Sequence, residues 1–184
     1  MKTLSVAAVA ACGLVLSGCG SDAVTTVGSP PATSTVAKVG EPLVFARADT
    51  KVPIGTIRIL ETAAMPAECL ADPAGHGIGL RVEIDNPGEL FLPRPDYTTW
   101  KVVDHSGFQQ AVTPAVVKFE CRSRYPEISK SQPASKTAGW VVAEMQQPNP
   151  TAIVYTPIVA EAGSTVSDIK FVTVAPKSAT VTLP

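Results

Sequence analysis

Short apolar runs separated by turn-forming residues recur over most of the chain, and they are the feature that most limits its fold. The clearest run spans residues 80–85, where apolar and charged side chains alternate (Leu-Arg-Val-Glu-Ile-Asp). Alternation with a period of two places the apolar side chains on one face of a half-buried strand. No apolar pattern at helical spacing extends beyond two turns. The sequence therefore predicts a fold built from β-strands.

Residues that favour turns bound each predicted strand. Asn-Pro-Gly at 86–88 ends one strand, and Asp-His-Ser-Gly at 104–107 is typical of a hairpin tip. The predicted strands are residues 43–48, 55–62, 77–86, 98–104, 116–121, 139–145, 152–156, 168–174 and 179–183. Eight or nine short strands without helices indicate two packed antiparallel sheets. The predicted fold class is all-β, an antiparallel β-sandwich.

The first residues have the organisation of an export signal. Lys2 is followed by an uncharged apolar stretch at 3–16, which is shorter than the ~20 residues that cross a bilayer. The stretch ends in Leu-Ser-Gly-Cys at 16–19, which resembles the lipobox of bacterial lipoproteins. We expect cleavage after Gly18 and a diacylglycerol, with acyl chains such as palmitate, on Cys19. The alternative is an ordinary signal peptide in which Cys19 is incidental.

The segment after Cys19 is predicted to be a flexible linker. Residues 20–39 are mostly Ser, Thr, Gly, Pro, Ala and Val, and they offer too little apolar surface to fold alone. About twenty such residues span roughly 25 Å. The predicted organisation is a signal peptide at 1–18, a lipidated linker at 19–39 and one domain at 40–184. We expect the domain at the extracellular face of the cytoplasmic membrane, with the lipid as its membrane contact.

Two cysteines, Cys69 and Cys121, lie in the predicted domain. An exported chain meets an oxidising environment, so an even pair predicts a disulfide. Closing a loop of about fifty residues stabilises a fold by about 4 kcal/mol on the chain-entropy model. The alternative is a metal site of these cysteines with His76, which lacks a fourth ligand and paired cysteine spacing.

The charge balance argues against a nucleic-acid partner. The chain carries 15 basic and 16 acidic side chains, and loss of the signal peptide removes only one of them, Lys2. Such a chain has no basic surface suited to nucleic acid and no polybasic strip suited to anionic lipid.

Three segments together resemble a known family. They are Val-Glu-Ile-Asp-Asn at 82–86, Trp-Lys-Val-Val-Asp at 100–104 with Gly107 after it, and Gly-Trp-Val-Val-Ala-Glu at 139–144. This order resembles the immunoglobulin-like domain of secreted actinobacterial antigens and Gram-positive lipoproteins. The resemblance covers residues 39–157 and implies an immunoglobulin-like β-sandwich. It implies no particular activity.

The sequence contains no recognisable catalytic motif. Asp104, His105 and Ser106 are adjacent in the chain, whereas a catalytic triad needs its members hydrogen-bonded in series in space. The Gly-x-Gly-x-Gly string at 75–79 precedes no helix that would form an anion site, and the carboxylates follow no calcium-loop spacing. We therefore expect a non-enzymatic protein without cofactor or metal. The alternative is an envelope-acting hydrolase whose site is not recognisable from sequence.

Two loops are candidates for a contact surface. The first, residues 88–97, contains Leu90, Phe91, Leu92 and Tyr97 beside charged residues and two prolines. Three consecutive apolar residues cannot all be buried by one sheet face, so they predict either a protein-contact patch or a plug at the open end of the sandwich, with Phe91 as the plug.

The second loop follows Cys121 directly. It carries Arg122 and Arg124 beside Tyr125, an arrangement suited to an anionic envelope polymer or to ordinary solvation. Taken together, the sequence predicts a non-enzymatic binding or structural module at the cell envelope. Its partner is a protein or an envelope component, and both its ligand and its oligomeric state stay open.

Overall fold

The regular structure is almost entirely β over the residues that the computed structural model describes, which are 35–73, 75–96, 98–161 and 168–184. Two short 3₁₀-helical turns, Ala67–Cys69 and Phe119–Cys121, interrupt the strands. The strands are β1 (Val36–Lys38), β2 (Pro42–Arg47), β3 (Pro53–Ala64), β4 (His76–Asn86), β5 (Trp100–Val103), β6 (Gln109–Ala111), β7 (Thr113–Pro114), β8 (Ser135–Met145), β9 (Ala152–Tyr155), β10 (Val159–Ala160), β11 (Phe171–Val172), β12 (Val174–Ala175) and β13 (Ala179–Thr182).

Two sheets form the sandwich. The large sheet has the strand order β12-β2-β3-β4-β8-β7, the small sheet has the order β1-β13-β9-β5-β6, and β10 pairs separately with β11. Every pair is antiparallel except β1 with β13. The fold is an immunoglobulin-like antiparallel β-sandwich, which confirms the fold class predicted from the sequence.

The main core lies between the inner faces of the two sheets. Along β4, Leu80, Val82 and Ile84 are at most 1% exposed, and the charged residues between them face away from this core. From β2, Phe45 meets Tyr155 of the small sheet edge to face, with ring centroids 5.7 Å apart. The alternation in the sequence thus predicts correctly which side chains are buried.

A second apolar cluster covers the outer face of the large sheet. It is formed by Met65, Cys69, Leu70, Tyr125 and Trp140. The Tyr125 and Trp140 rings pack edge to face at 5.1 Å. Cys69 and Cys121 form a disulfide, with their Cα atoms 5.6 Å apart. The disulfide holds the two covering segments together over this face.

The glycine string at 75–79 explains how the cover lies so close to the sheet. A Cβ added to Gly77 would lie 2.7 Å from Leu70 Cδ1, and one added to Gly79 would lie 2.9 Å from Met65 Sδ. Only a residue without a side chain leaves this room. These glycines therefore serve packing within β4.

Two predicted strands differ in the structure. Residues 116–121 do not form a strand: Val117 makes one isolated bridge to Leu70, and Phe119–Cys121 turns as a 3₁₀-helix towards the disulfide. The predicted strand at 168–174 is divided, because Phe171–Val172 pairs with β10 whereas Val174–Ala175 pairs with β2. Tertiary pairing overrides the local apolar pattern in both places.

The predicted boundary between linker and domain is also wrong by a few residues. Val36–Lys38, assigned to the linker, forms β1 and pairs with β13. Ala37 is 4% exposed and belongs to the main core, which accounts for the ordering of this strand. The predicted signal peptide, Cys19 and the first part of the predicted linker lie outside the described residues.

We predict that Gly139→Ala destabilises the domain by about 1–3 kcal/mol, the range typical of overpacking. A Cβ at this position of β8 would lie 2.5 Å from Ile128 Cα and 2.6 Å from its backbone N, so the backbone itself would have to move. The control is Gly88→Ala, since a Cβ at Gly88 meets nothing within 4 Å. Urea unfolding of both variants measures the difference, and equal free energies of unfolding would contradict the close approach.

Candidate functional site

The two loops that the sequence nominates line one cleft of about 620 Å³. Arg94 of the first loop extends to the segment that follows the second. Its Nη1 donates to Glu127 Oε1 at 2.6 Å and to the backbone oxygen of Ile128 at 3.2 Å. The cleft runs along the outer edge of β8, between residues 113–117 and residues 125–128. The structure thus unites two surfaces that the sequence treats as separate.

The first loop is tied to the core at its apolar centre. Leu92 is fully buried in the main core, and its backbone N–H donates to Asn86 Oδ1 at 2.9 Å. Asn86 is itself 1% exposed and donates through Nδ2 to the backbone oxygen of Gln132 at 3.3 Å. A buried amide with both ends bonded fixes the loop firmly.

This arrangement corrects the prediction for the first loop. Leu92 is inaccessible and cannot contact a partner, and it is Leu92 that fills the open end of the sandwich, the role expected of Phe91. Phe91 is 36% exposed at the surface, and Leu90 packs partly buried against the core. Tyr97 lies outside the described residues.

The structure separates the two arginines of the second loop. Arg122 is exposed, lines the cleft and donates from Nε to the backbone oxygen of Val117 at 3.3 Å. Arg124 lies 5.3 Å from the centre of the Tyr125 ring, a cation–π distance, and lines a different cavity of about 450 Å³. Of the two, Arg122 is the residue positioned at the cleft.

Aromatic side chains form the inner wall of the cleft. Both tryptophans of the chain, Trp100 and Trp140, line it together with Tyr125. Trp100 is 2% exposed, and its indole N–H has no hydrogen-bond partner among the residues that the structure describes. A buried donor without an acceptor is costly, typically by about 1–3 kcal/mol. The sequence gives no sign of this wall, because the tryptophans belong to strands of different sheets.

The carboxyl group of Asp96 stays ionised at the rim of the cleft. Burial by itself raises its pKa, but hydrogen bonds from Thr98 and Thr99 outweigh burial and hold the pKa below the ordinary value. Nearby, burial and then the charge of Asp96 raise the pKa of the Tyr155 hydroxyl. Tyr155 is therefore neutral and donates to the backbone oxygen of Pro93 at 2.8 Å.

The sequence Asp104-His105-Ser106 forms the tip of the β5–β6 hairpin. Asp104 Oδ1 accepts from the Ser106 hydroxyl at 2.6 Å and from the Ser106 and Phe108 backbone N–H groups at 2.8 and 3.0 Å. The Ser106 hydroxyl is the main reason that the pKa of Asp104 is lowered. The serine contacts the carboxylate directly and not through His105, which is the geometry of a turn.

Two further observations bear on metal and membrane contacts. Within the described ranges, no three side chains of His, Cys, Asp and Glu lie together in a group that holds a metal ion. No helix in the same ranges combines the length and apolar character needed to cross a bilayer.

Comparison with known proteins finds one solved structure that is similar to this chain. It is the secreted protein MPT63 from Mycobacterium tuberculosis, with a TM-score of 0.48 and 13% sequence identity, covering 78% of this chain and 97% of that chain. No protein-family model matches the chain, and no curated protein matches it.

We predict that Leu92→Ala and Phe91→Ala differ sharply in stability. Leu92→Ala leaves a cavity in the main core and costs about 2–5 kcal/mol, whereas Phe91→Ala changes the free energy of unfolding by less than about 1 kcal/mol. Urea unfolding of the two variants is the measurement. A larger loss for Phe91→Ala would restore Phe91 as the plug.

Proposed function

We propose that this protein is an exported lipoprotein, held by diacylglycerol on Cys19 at the extracellular face of the cytoplasmic membrane, and that it acts as a non-enzymatic binding module. The lipobox-like residues 16–19 support the anchor. The disulfide between Cys69 and Cys121 supports export, because such bonds persist in oxidising compartments.

The cleft beside β8 is the single observation on which the binding role rests. Ligand sites are typically concave and mostly apolar, with a few polar groups that orient the ligand. The cleft has this composition: three aromatic side chains form its wall, Arg94 and Glu127 form an ion pair in it, and the Asp96 carboxylate and the exposed guanidinium of Arg122 supply its other charges. These groups suit an envelope component that combines an apolar or ring face with an anionic group.

Membrane anchoring is tested by the intact mass of the protein extracted from membranes of a producing cell. We expect cleavage before Cys19 and an added diacylglycerol, together with two cysteines that alkylate only after reduction. Cys19→Ala serves as the matched variant and should abolish the lipid mass and release the domain from the membrane. An unlipidated native mass would contradict the anchor and leave the cleft to be tested separately.

Binding in the cleft is tested through tryptophan fluorescence, since both tryptophans line it. The probes are soluble peptidoglycan fragments with free carboxylates and a purified anionic wall polymer. We expect a saturable change that Arg122→Ala weakens about tenfold, as loss of a hydrogen bond to a charged group does, and that salt also weakens. Arg124→Ala is the matched control, because that arginine lines another cavity. Equal weakening by both variants, or no saturable change with either probe, would contradict the proposal.

A further inference from the structure

A second cavity, of about 760 Å³, lies at the end of the sandwich where β4 begins and β8 ends, and sulfur and imidazole side chains line it. It is lined by both histidines of the chain, His76 and His105, and by both methionines after Met1, Met65 and Met145. None of its described lining residues is Asp, Glu, Lys or Arg. None of them lines the cleft beside β8. This cavity is therefore a separate candidate site.

Strand register places two of these side chains next to each other. His76 of β4 lies directly opposite Met145 of β8. Directly opposed residues share a sheet face, with Cβ atoms about 4.5–5.5 Å apart. That face is the inner one, since Met145 belongs to the main core and His76 is in phase along β4 with the buried Ile78. His76 and Met145 therefore face the open end of the space between the sheets.

His105 reaches the same cavity from the small sheet. Its backbone is held on both sides. The Thr151 N–H donates to the Val103 oxygen at 2.7 Å, and the Thr151 hydroxyl donates to the Asp104 oxygen at 3.1 Å. The turn after His105 is closed by the Ser106 and Phe108 N–H groups on the Asp104 carboxylate. The backbone on both sides of His105 is thus held by hydrogen bonds of the fold, and His105 lines the same cavity as His76.

We infer that His76, His105 and Met145 bind a soft metal ion, namely Cu(I). Thioether sulfur selects soft ions, and imidazole suits copper, whereas Mg²⁺ and Ca²⁺ require oxygen ligands such as carboxylates. A cavity without basic lining residues imposes no charge repulsion on an entering cation. The third ligand is a methionine, so this set differs from the groups of His, Cys, Asp and Glu that hold harder metal ions.

The two methionines of the cavity differ in orientation, which provides a matched control. Met65 Sδ lies 2.9 Å from where a Cβ on Gly79 would stand, and the Trp140 ring is 3.1 Å from the same point. Met65 is therefore part of the cluster on the outer face of the large sheet, with its sulfur against that face. Met145 belongs to the core between the sheets. Only Met145 shares a face with His76.

The test is anaerobic competition for Cu(I) between the full exported chain and a colorimetric Cu(I) chelator. We expect one Cu(I) per chain, and at least tenfold weaker binding in each of His76→Ala, His105→Ala and Met145→Leu. Met65→Leu should bind as the unaltered chain does. Both leucine variants conserve side-chain volume, and urea unfolding checks that each variant is folded.

A second readout identifies the metal ligands directly. Ag(I), a diamagnetic ion of the same softness, should shift the NMR signals of both histidine rings and of the Met145 methyl group, and leave the Met65 methyl group unmoved. The site is overturned if the chelator removes all Cu(I), if His76→Ala with His105→Ala binds as tightly as the unaltered chain, or if Zn²⁺ binds more tightly than Cu(I).

Discussion

The long ladder between β4 and β8 is the interaction on which the rest of the structure depends. Eleven consecutive residue pairs join His76–Asn86 to Ser135–Met145, with no bulge. This strand pair has two faces, an outer edge along β8 and two ends, and these surfaces have different neighbours. The inner face carries Leu80, Val82 and Ile84 into the main core. The outer face carries Trp140 into the second cluster.

The edge and the end of the same ladder generate the two cavities. Along the outer edge of β8, residues 113–115 cover one part and residues 126–128 another, and the cleft lies against this edge. At the end of the ladder, His76 and Met145 face the gap between the sheets. Within the paired strands, backbone groups are hydrogen-bonded to each other and the inner side chains are packed in the core. Binding surfaces of a sandwich therefore lie where regular strand pairing stops.

The disulfide stabilises the fold by closing a loop, and it also shapes the cleft. By joining Cys69 to Cys121 it fixes the segment that carries Arg122 and Tyr125, so the cover of the outer face also shapes one wall of the cleft. Glycines at 77 and 79 let the cover approach the sheet, and Gly139 lets the backbone at Ile128 approach β8. Stability and site geometry thus rest on the same close contacts.

The sequence by itself determined where the strands with clear alternation lie and which two cysteines pair. Alternation is a local pattern, and the pairing follows from the presence of only two cysteines in the predicted domain. It also singled out both loops of the cleft from their composition. Only the tertiary structure decided that Leu92 and not Phe91 enters the core, since adjacent residues on an irregular segment differ only in direction. Only the tertiary structure, likewise, decided that residues 116–121 form no strand and that His76 lies opposite Met145. Those outcomes depend on the register between segments far apart in the chain, which no local pattern specifies.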